Sequence, residues 1–200
     1  MQFPGDDPNA VDQVLRARYP EFNLPENEQI ETDAVAVLLE KIGPSILLTH
    51  SGSGIRGWWT GTKSGNVKAI VAYEPGTYLF AEGEMPPALP RSDGVLVSPG
   101  ATIPLAAFMK LTEMPVQIIF GDNIPATPHP LTALDGWRLR VIYARQFAAA
   151  INRHGGDAEV LVLPEVGVFG NTHFAMSDLN NDVIANLLSD YLKRKGLDRR

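Results

Sequence analysis

The chain has 200 residues, 44% hydrophobic and 20% charged, an ordinary composition for one soluble globular domain spanning residues 1–200. A formal net charge of -6 argues against nucleic acid or an anionic membrane surface as partner, since both call for clustered Lys and Arg. Without cysteine there is no disulfide or thiolate chemistry, and no apolar run approaches the roughly 20 residues of a membrane span.

Residues 1–30 carry Pro4, Pro8, Pro20 and Pro25 and read as an irregular segment with one short helix, Asn9 to Arg18, and no strand. Glu31-Thr32-Asp33 then offers a cap for a helix from Ala34 to Ile42, with Val35, Leu38, Leu39 and Ile42 at helical spacing and Gly43-Pro44 as its stop. A short apolar strand, Ser45 to Thr49, runs into His50-Ser51-Gly52-Ser53-Gly54, and a helix-compatible stretch follows from Ile55 to Thr62. Val67 to Tyr73 is near-continuously apolar, as a strand covered on both faces is, and ends at Glu74-Pro75-Gly76. Residues 77–101, rich in Pro, Gly and acidic side chains, read as a long surface excursion of the lid or cap kind.

Pro104 to Leu111 reads as a short helix and Pro115 to Phe120 as the next strand, which stops at Gly121-Asp122-Asn123. A proline-rich loop containing His129 leads to a long helix from about Trp137 to His154, then to a strand from Ala158 to Leu163. His173 stands in the loop beyond it, and Asp178 or Ser177 caps a last amphipathic helix through Val183, Leu187, Leu188, Tyr191 and Leu192. The basic cluster near the C-terminus, Lys193 to Lys195, suits the negative end of that helix.

Strands separated by helices imply parallel strands joined by crossovers: an α/β fold with a mostly parallel sheet of about four strands, flanked by helices, whose functional edge lies at the C-terminal strand ends. Ser51, Glu74, Asp122 and His173 all stand just past such ends. A serine on a sharp strand-to-helix turn needs small residues two before and two after it, here Thr49 and Ser53. A serine hydroxyl becomes a useful nucleophile when a histidine takes its proton, and the histidine needs a carboxylate to set its tautomer. Among the four histidines, His173 is the best base; His50 reads as structural support beside Ser51, and His129 and His154 as surface residues. The acid is open between Glu74 and Asp122. The backbone N–H of Gly52 is one oxyanion donor, and no second donor is identifiable in residues 1–44. Trp58, Trp59, Tyr78 and Phe174 are candidates for an apolar substrate pocket. The Asp178-x-Asn180-x-Asp182 spacing resembles the start of a calcium loop, but Val183 and Ser189 stand where that loop needs glycine and glutamate. No residue cluster calls for a metal, and the glycines near Ser51 lack the spacing of a dinucleotide site, so no cofactor is expected.

From about Ile30 to Leu197 the chain resembles the C-terminal two-thirds of an α/β-hydrolase, and more narrowly the bacterial Alcaligenes-type esterases. The resemblance rests on Thr49-His50-Ser51, on Glu74-Pro75-Gly76, and on Gly170-Asn171-Thr172-His173 followed by Met176-Ser177-Asp178-Leu179-Asn180-Asn181. It implies a carboxylic ester hydrolase with a Ser51, His173, Glu74 triad acting on small-molecule esters, and it favours Glu74 over Asp122. Against that fold the N-terminal third has no counterpart here, and the strand at Ser45 is left as an apolar edge that favours pairing with another chain. The expectation is therefore a homo-oligomer or a partner chain that supplies strands, the alternative being a noncatalytic or truncated relative that acts through oligomerisation.

Overall fold

The computed structural model describes residues 2–17 and 24–199. Helix α1 (Pro8–Arg16) starts on Asp7, whose carboxylate accepts the Asn9 N–H at 2.8 Å. The end expected for it at Arg18 falls outside the described residues. Helix α2 (Pro25–Ile42) begins well before the expected cap at Glu31-Thr32-Asp33. Glu26 and Glu28 in its first turn suit the positive end of the helix dipole. Thr32 lies inside the helix, where its Oγ donates to the Glu28 carbonyl at 2.7 Å and receives Lys63 Nζ at 2.7 Å. Gly43, at φ 84° and ψ -163°, ends α2 in an extended positive-φ conformation that essentially only glycine adopts.

Strand β1 (Ser45–His50), helix α3 (Ser53–Lys63) and strand β2 (Val67–Tyr73) form the first crossover, with β1 and β2 parallel. Residues 77–101 depart from the expected surface excursion. Both ends of the segment are structural: β3 (Tyr78–Ala81) pairs in parallel with β6 (Gly100–Ile103), and all four β3 residues are buried. Between them β4 (Leu89–Pro90) and β5 (Leu96–Val97) make a small antiparallel hairpin. The physical reason is the run Tyr78-Leu79-Phe80-Ala81, apolar enough to belong in a core despite its loop-like flanks.

Helix α4 (Leu105–Phe108) continues as a 3₁₀ turn to Thr112 and leads to β7 (Pro115–Phe120). Helix α5 (Thr132–Arg153) then crosses to β8 (Asp157–Val162), and α6 (Asn181–Arg194) closes the fold. Asp178 and Ser177 do not cap α6, which has no side-chain cap. The hairpin is fastened to α5 by Tyr143, whose hydroxyl accepts the Leu89 N–H at 2.7 Å and donates to the Val97 carbonyl at 2.7 Å. Buried Asp135 adds a second fastening by accepting the N–H groups of Ser92 and His129. The Arg138 guanidinium, with those N–H groups, holds the Asp135 carboxyl down at about 2.

The main sheet is wholly parallel with strand order β1-β2-β7-β8. Its two central strands, β2 and β7, are apolar on both faces because both faces are covered there. Ile70, Ala72, Val116, Ile118 and Phe120 face a large core shared with α2, α3, α5 and β3. Val71, Tyr73 and Ile119 face the smaller core closed by Ile184 and Tyr191 of α6. Helix α3 lies unusually close to the first face because its inner stripe is glycine. A Cβ on Gly54 would sit 2.5 Å from Pro75 Cβ, one on Gly57 2.8 Å from Thr49 Cγ2, and one on Gly61 2.9 Å from Ile70 Cδ1. Gly57 is thus what makes room for threonine, rather than glycine, two residues before Ser51.

This packing makes Gly57→Ala destabilising by about 1–3 kcal/mol, the usual cost of overfilling a packed core. The control Gly65→Ala, where a Cβ meets nothing within 4 Å, should stay within about 1 kcal/mol of the parent. Urea denaturation of both variants checks the contrast.

Candidate active site

The turn from β1 to α3 puts Ser51 at φ 54°, a left-handed conformation that costs a non-glycine residue energy and is maintained by its surroundings. The Ser51 N–H donates to the Tyr73 carbonyl at 2.9 Å and its own carbonyl accepts the Gly54 N–H at 3.0 Å. Ser53 tightens the turn further: its Oγ accepts the His50 N–H at 2.8 Å and donates to the His50 carbonyl at 2.7 Å. Ser53 therefore stands at a position where glycine is usual and uses its hydroxyl as a clamp.

Three side chains converge beyond the C-terminal strand ends. Ser51 Oγ lies 2.8 Å from His173 Nε2, and His173 Nδ1 lies 2.5 Å from Glu74 Oε2. The carboxylate only accepts, so the imidazole proton sits on Nδ1 and Nε2 is left free to accept from the serine hydroxyl. Glu74 is 5% exposed, and its second oxygen accepts the Gly121 N–H at 2.8 Å. Any Cβ on Gly121 would come within 2.8 Å of that same oxygen, so the bond requires glycine there. Glu74 itself has φ 44°, a second strained residue in the same site.

Asp122, the other candidate acid, has a different task. Its Oδ2 accepts the Gly170 N–H at 2.8 Å and its Oδ1 the Asn123 N–H at 2.6 Å, which anchors the loop that carries His173. The far end of that loop is held by Asp178, which is buried. Asp178 accepts from Asn171 Nδ2 at 3.0 Å, from the Thr172 N–H at 2.8 Å and from Thr172 Oγ at 2.9 Å. Asn180 and Asn171 exchange a further pair of bonds at 2.8 and 3.0 Å. The Asp178-x-Asn180 spacing thus serves a polar network behind the histidine. His129 and His154 are engaged elsewhere, with Leu131 and with Glu84.

The four aromatic residues expected near the substrate divide. Phe174 is at the site, its ring 5.3 Å from that of His173 and 5.0 Å from that of His50. Trp58 and Tyr78 are fully buried in the core and are a correction to the sequence reading: helical spacing puts Trp58 on the inner face of α3 with Gly54 and Gly61, where its ring packs 5.0 Å from Phe147. The Trp58 indole N–H donates to the Thr77 carbonyl at 3.0 Å, and Tyr78 OH donates to the Arg140 carbonyl at 3.0 Å. Trp59 is half-buried and has Lys63 Nζ 5.9 Å from its ring centre. In their place, a cavity of about 340 Å³ opens beside His173 and Glu74 and is lined on its apolar side by Ile124, Leu134 and Trp137. The Trp137 ring lies 4.7 Å from that of His173. Trp137 opens the long helix expected from the sequence, but its spacing signals only a helix start. Among the described residues no group of three or more His, Cys, Asp or Glu could hold a metal ion.

Because Asp178 accepts three hydrogen bonds in a buried setting, Asp178→Ala should lower stability by about 2–4 kcal/mol, leaving buried donors unpaired. Ser51→Ala, which removes an atom from a strained and partly exposed turn, should leave stability unchanged or raised. Paired urea unfolding curves check the difference.

No family model matches the chain. It is 28% identical over 190 residues to a protein named "Probable secreted lipase phiG" from a fungal species, strain ATCC 74256, covering 86% of this chain and 52% of that one. A solved structure described as "The Atomic Resolution Structure of a Novel Bacterial Esterase" superposes with a TM-score of 0.71 at 27% identity, covering 97% of this chain and 51% of that one. The chain therefore spans about half the length of both. With its parallel four-stranded sheet flanked by helices and these two likenesses, the chain is α/β-hydrolase-like and resembles a bacterial esterase.

Proposed function

We propose that the chain carries the catalytic serine, histidine and acid of a carboxylic ester hydrolase. The observation that carries this reading is the continuous hydrogen-bonded line Ser51 Oγ, His173, Glu74, at 2.8 and 2.5 Å, on a strained strand-to-helix turn. In this reading Ser51 Oγ attacks the ester carbonyl as His173 Nε2 takes its proton. His173 then returns that proton to the leaving alcohol, and the acyl-serine is hydrolysed by water that His173 activates in turn. Glu74 keeps the imidazole in the tautomer that can accept from serine and stabilises the imidazolium once formed. The tetrahedral oxyanion is received by the Gly52 N–H at the start of α3, where helix N–H groups and the helix dipole favour negative charge. Support comes from the bacterial esterase and fungal lipase likenesses, each covering about half of the other chain.

The apolar part of the ester belongs in the cavity beside His173, against Ile124, Leu134 and Trp137. Glu74 and Asp122 also line that cavity, so neutral esters suit it better than anionic ones. A second part of the reading concerns β1, which ends the sheet. Leu48 is 58% exposed in the middle of this edge strand, and α2, which packs on α3, carries exposed Ile30, Leu38 and Ile42. An open apolar edge favours strand pairing with a second copy or a partner chain. Sedimentation velocity should then show a species larger than 21.8 kDa, and a monodisperse monomer would remove this part.

Hydrolysis of p-nitrophenyl acetate and octanoate tests the catalytic reading. Ser51→Ala should lose about 1000-fold or more in kcat and Glu74→Gln about 100- to 10,000-fold, the range seen when members of such a unit are removed. Asp122→Asn should lose less than about 10-fold, because Asp122 holds a loop and not the imidazole. Trp137→Ala should cut kcat/KM for octanoate about 10-fold more than for acetate, the scale of an apolar pocket contact. Full activity in Ser51→Ala would end the reading; loss in Asp122→Asn equal to that in Glu74→Gln would reassign the acid.

A further inference from the structure

His50 precedes Ser51, and its ring turns toward His173, making a 2.6 Å hydrogen bond from Nε2 to the His173 backbone oxygen. A carbonyl only accepts, so His50 carries its proton on Nε2. The two rings lie 4.6 Å apart, and Phe174 closes the cluster at 5.0 Å from His50. The backbone that carries this ring is itself fixed, since Ser53 Oγ clamps the N–H and carbonyl of His50. His173 sits in a loop, where only its neighbours Asn171 and Thr172 are tied down by Asp178. The bond from His50 is thus what ties the backbone of His173 itself to the turn that carries Ser51.

We propose that His50 is a positioning residue that sets the reach of His173 Nε2 to Ser51 Oγ by holding the His173 carbonyl. This rests on the reading of Ser51, His173 and Glu74 as the reacting groups. The residues at positions 50, 51 and 53 then form one device: Ser53 fixes His50, His50 fixes His173, and His173 addresses Ser51.

The device has a pH signature. Burial lowers the basicity of His50, and a charged His173 beside it lowers it further, against the opposing effects of its bond to the His173 carbonyl and of the Glu74 carboxylate. The remaining titratable group facing it from β2 is Tyr73, which burial keeps neutral. Protonation of His50 preserves the Nε2–H bond but sets a cation against the imidazole that must accept the serine proton. Protonation of His50 should therefore add to the loss of activity at low pH, so the acid limb of kcat should be steeper than in a variant with no titrating side chain at position 50.

The test compares His50→Gln, whose side-chain amide can donate to the same carbonyl and does not titrate, with His50→Ala. His50→Gln should keep kcat within about threefold and show a single-ionisation acid limb. His50→Ala should lose about 10- to 100-fold in kcat with KM changed less than about threefold, as for a misplaced but intact base. A readout independent of turnover is the low-field proton resonance of the His173 Nδ1–H bond to Glu74, which should persist in the parent and in His50→Gln and weaken or exchange rapidly in His50→Ala. Equal kcat and equal resonances in parent and His50→Ala would overturn the proposal, as would an acid limb that His50→Gln leaves unchanged. If the parent hydrolyses no ester while the resonances behave as described, the hydrolase reading fails and the positioning role stands.

Discussion

The constraint on which the rest depends is the distance between α3 and the sheet. Ser51 can occupy a left-handed turn between β1 and α3 only if the helix begins immediately and lies flat against the strands. The glycines at 54, 57 and 61 permit that approach, with Pro75, Thr49 and Ile70 filling the space their side chains would need. Pro75 follows Glu74 directly, so the contact that seats α3 also borders the acid. Packing of one helix thereby brings together a strained serine from β1 and a strained glutamate from the end of β2.

Polar bonds then complete what packing begins. His173 reaches the site from a loop far along the chain, and loops hold a position only when their backbone groups are satisfied. Asp122 anchors the loop's start at Gly170, Asp178 holds Asn171 and Thr172, and His50 takes the carbonyl of His173. The three anchors come from the end of β1, from the loop after β7 and from the segment just before α6. Gly121 adds the reciprocal bond that keeps Glu74 facing the imidazole.

Much of this is legible in the sequence where local chemistry and burial agree. Val67 to Tyr73 and Pro115 to Phe120 read as strands because a strand covered on both faces must be apolar throughout, and the structure has them with those limits. The positions of Ser51, Glu74 and His173 past strand ends follow from the alternation of strands and helices. Less legible is anything decided by tertiary packing. Tyr78 to Ala81 is too short and too closely flanked by glycine and acidic residues to separate from a loop, yet it is buried. Trp58 is near Ser51 in sequence, but the turn of α3 faces it into the core. Trp137 meets His173 only through folding, and nothing in its local spacing announces it. Asp178 follows His173 closely enough to read as part of one motif, but its bonds to Asn171 and Thr172 are not legible from the sequence. Thr32 reads as a helix start because its type favours caps, whereas here it answers Lys63 from within α2.

The most direct measurement is covalent: treat the protein with a fluorophosphonate, digest it, and map the adduct by mass spectrometry. Such a reagent reacts with a serine hydroxyl that a histidine has activated, whatever the natural substrate. The account predicts a single adduct on the peptide containing Ser51, absent in Ser51→Ala and in a sample unfolded before treatment. No adduct in the folded protein, or an adduct confined to another serine, would contradict it.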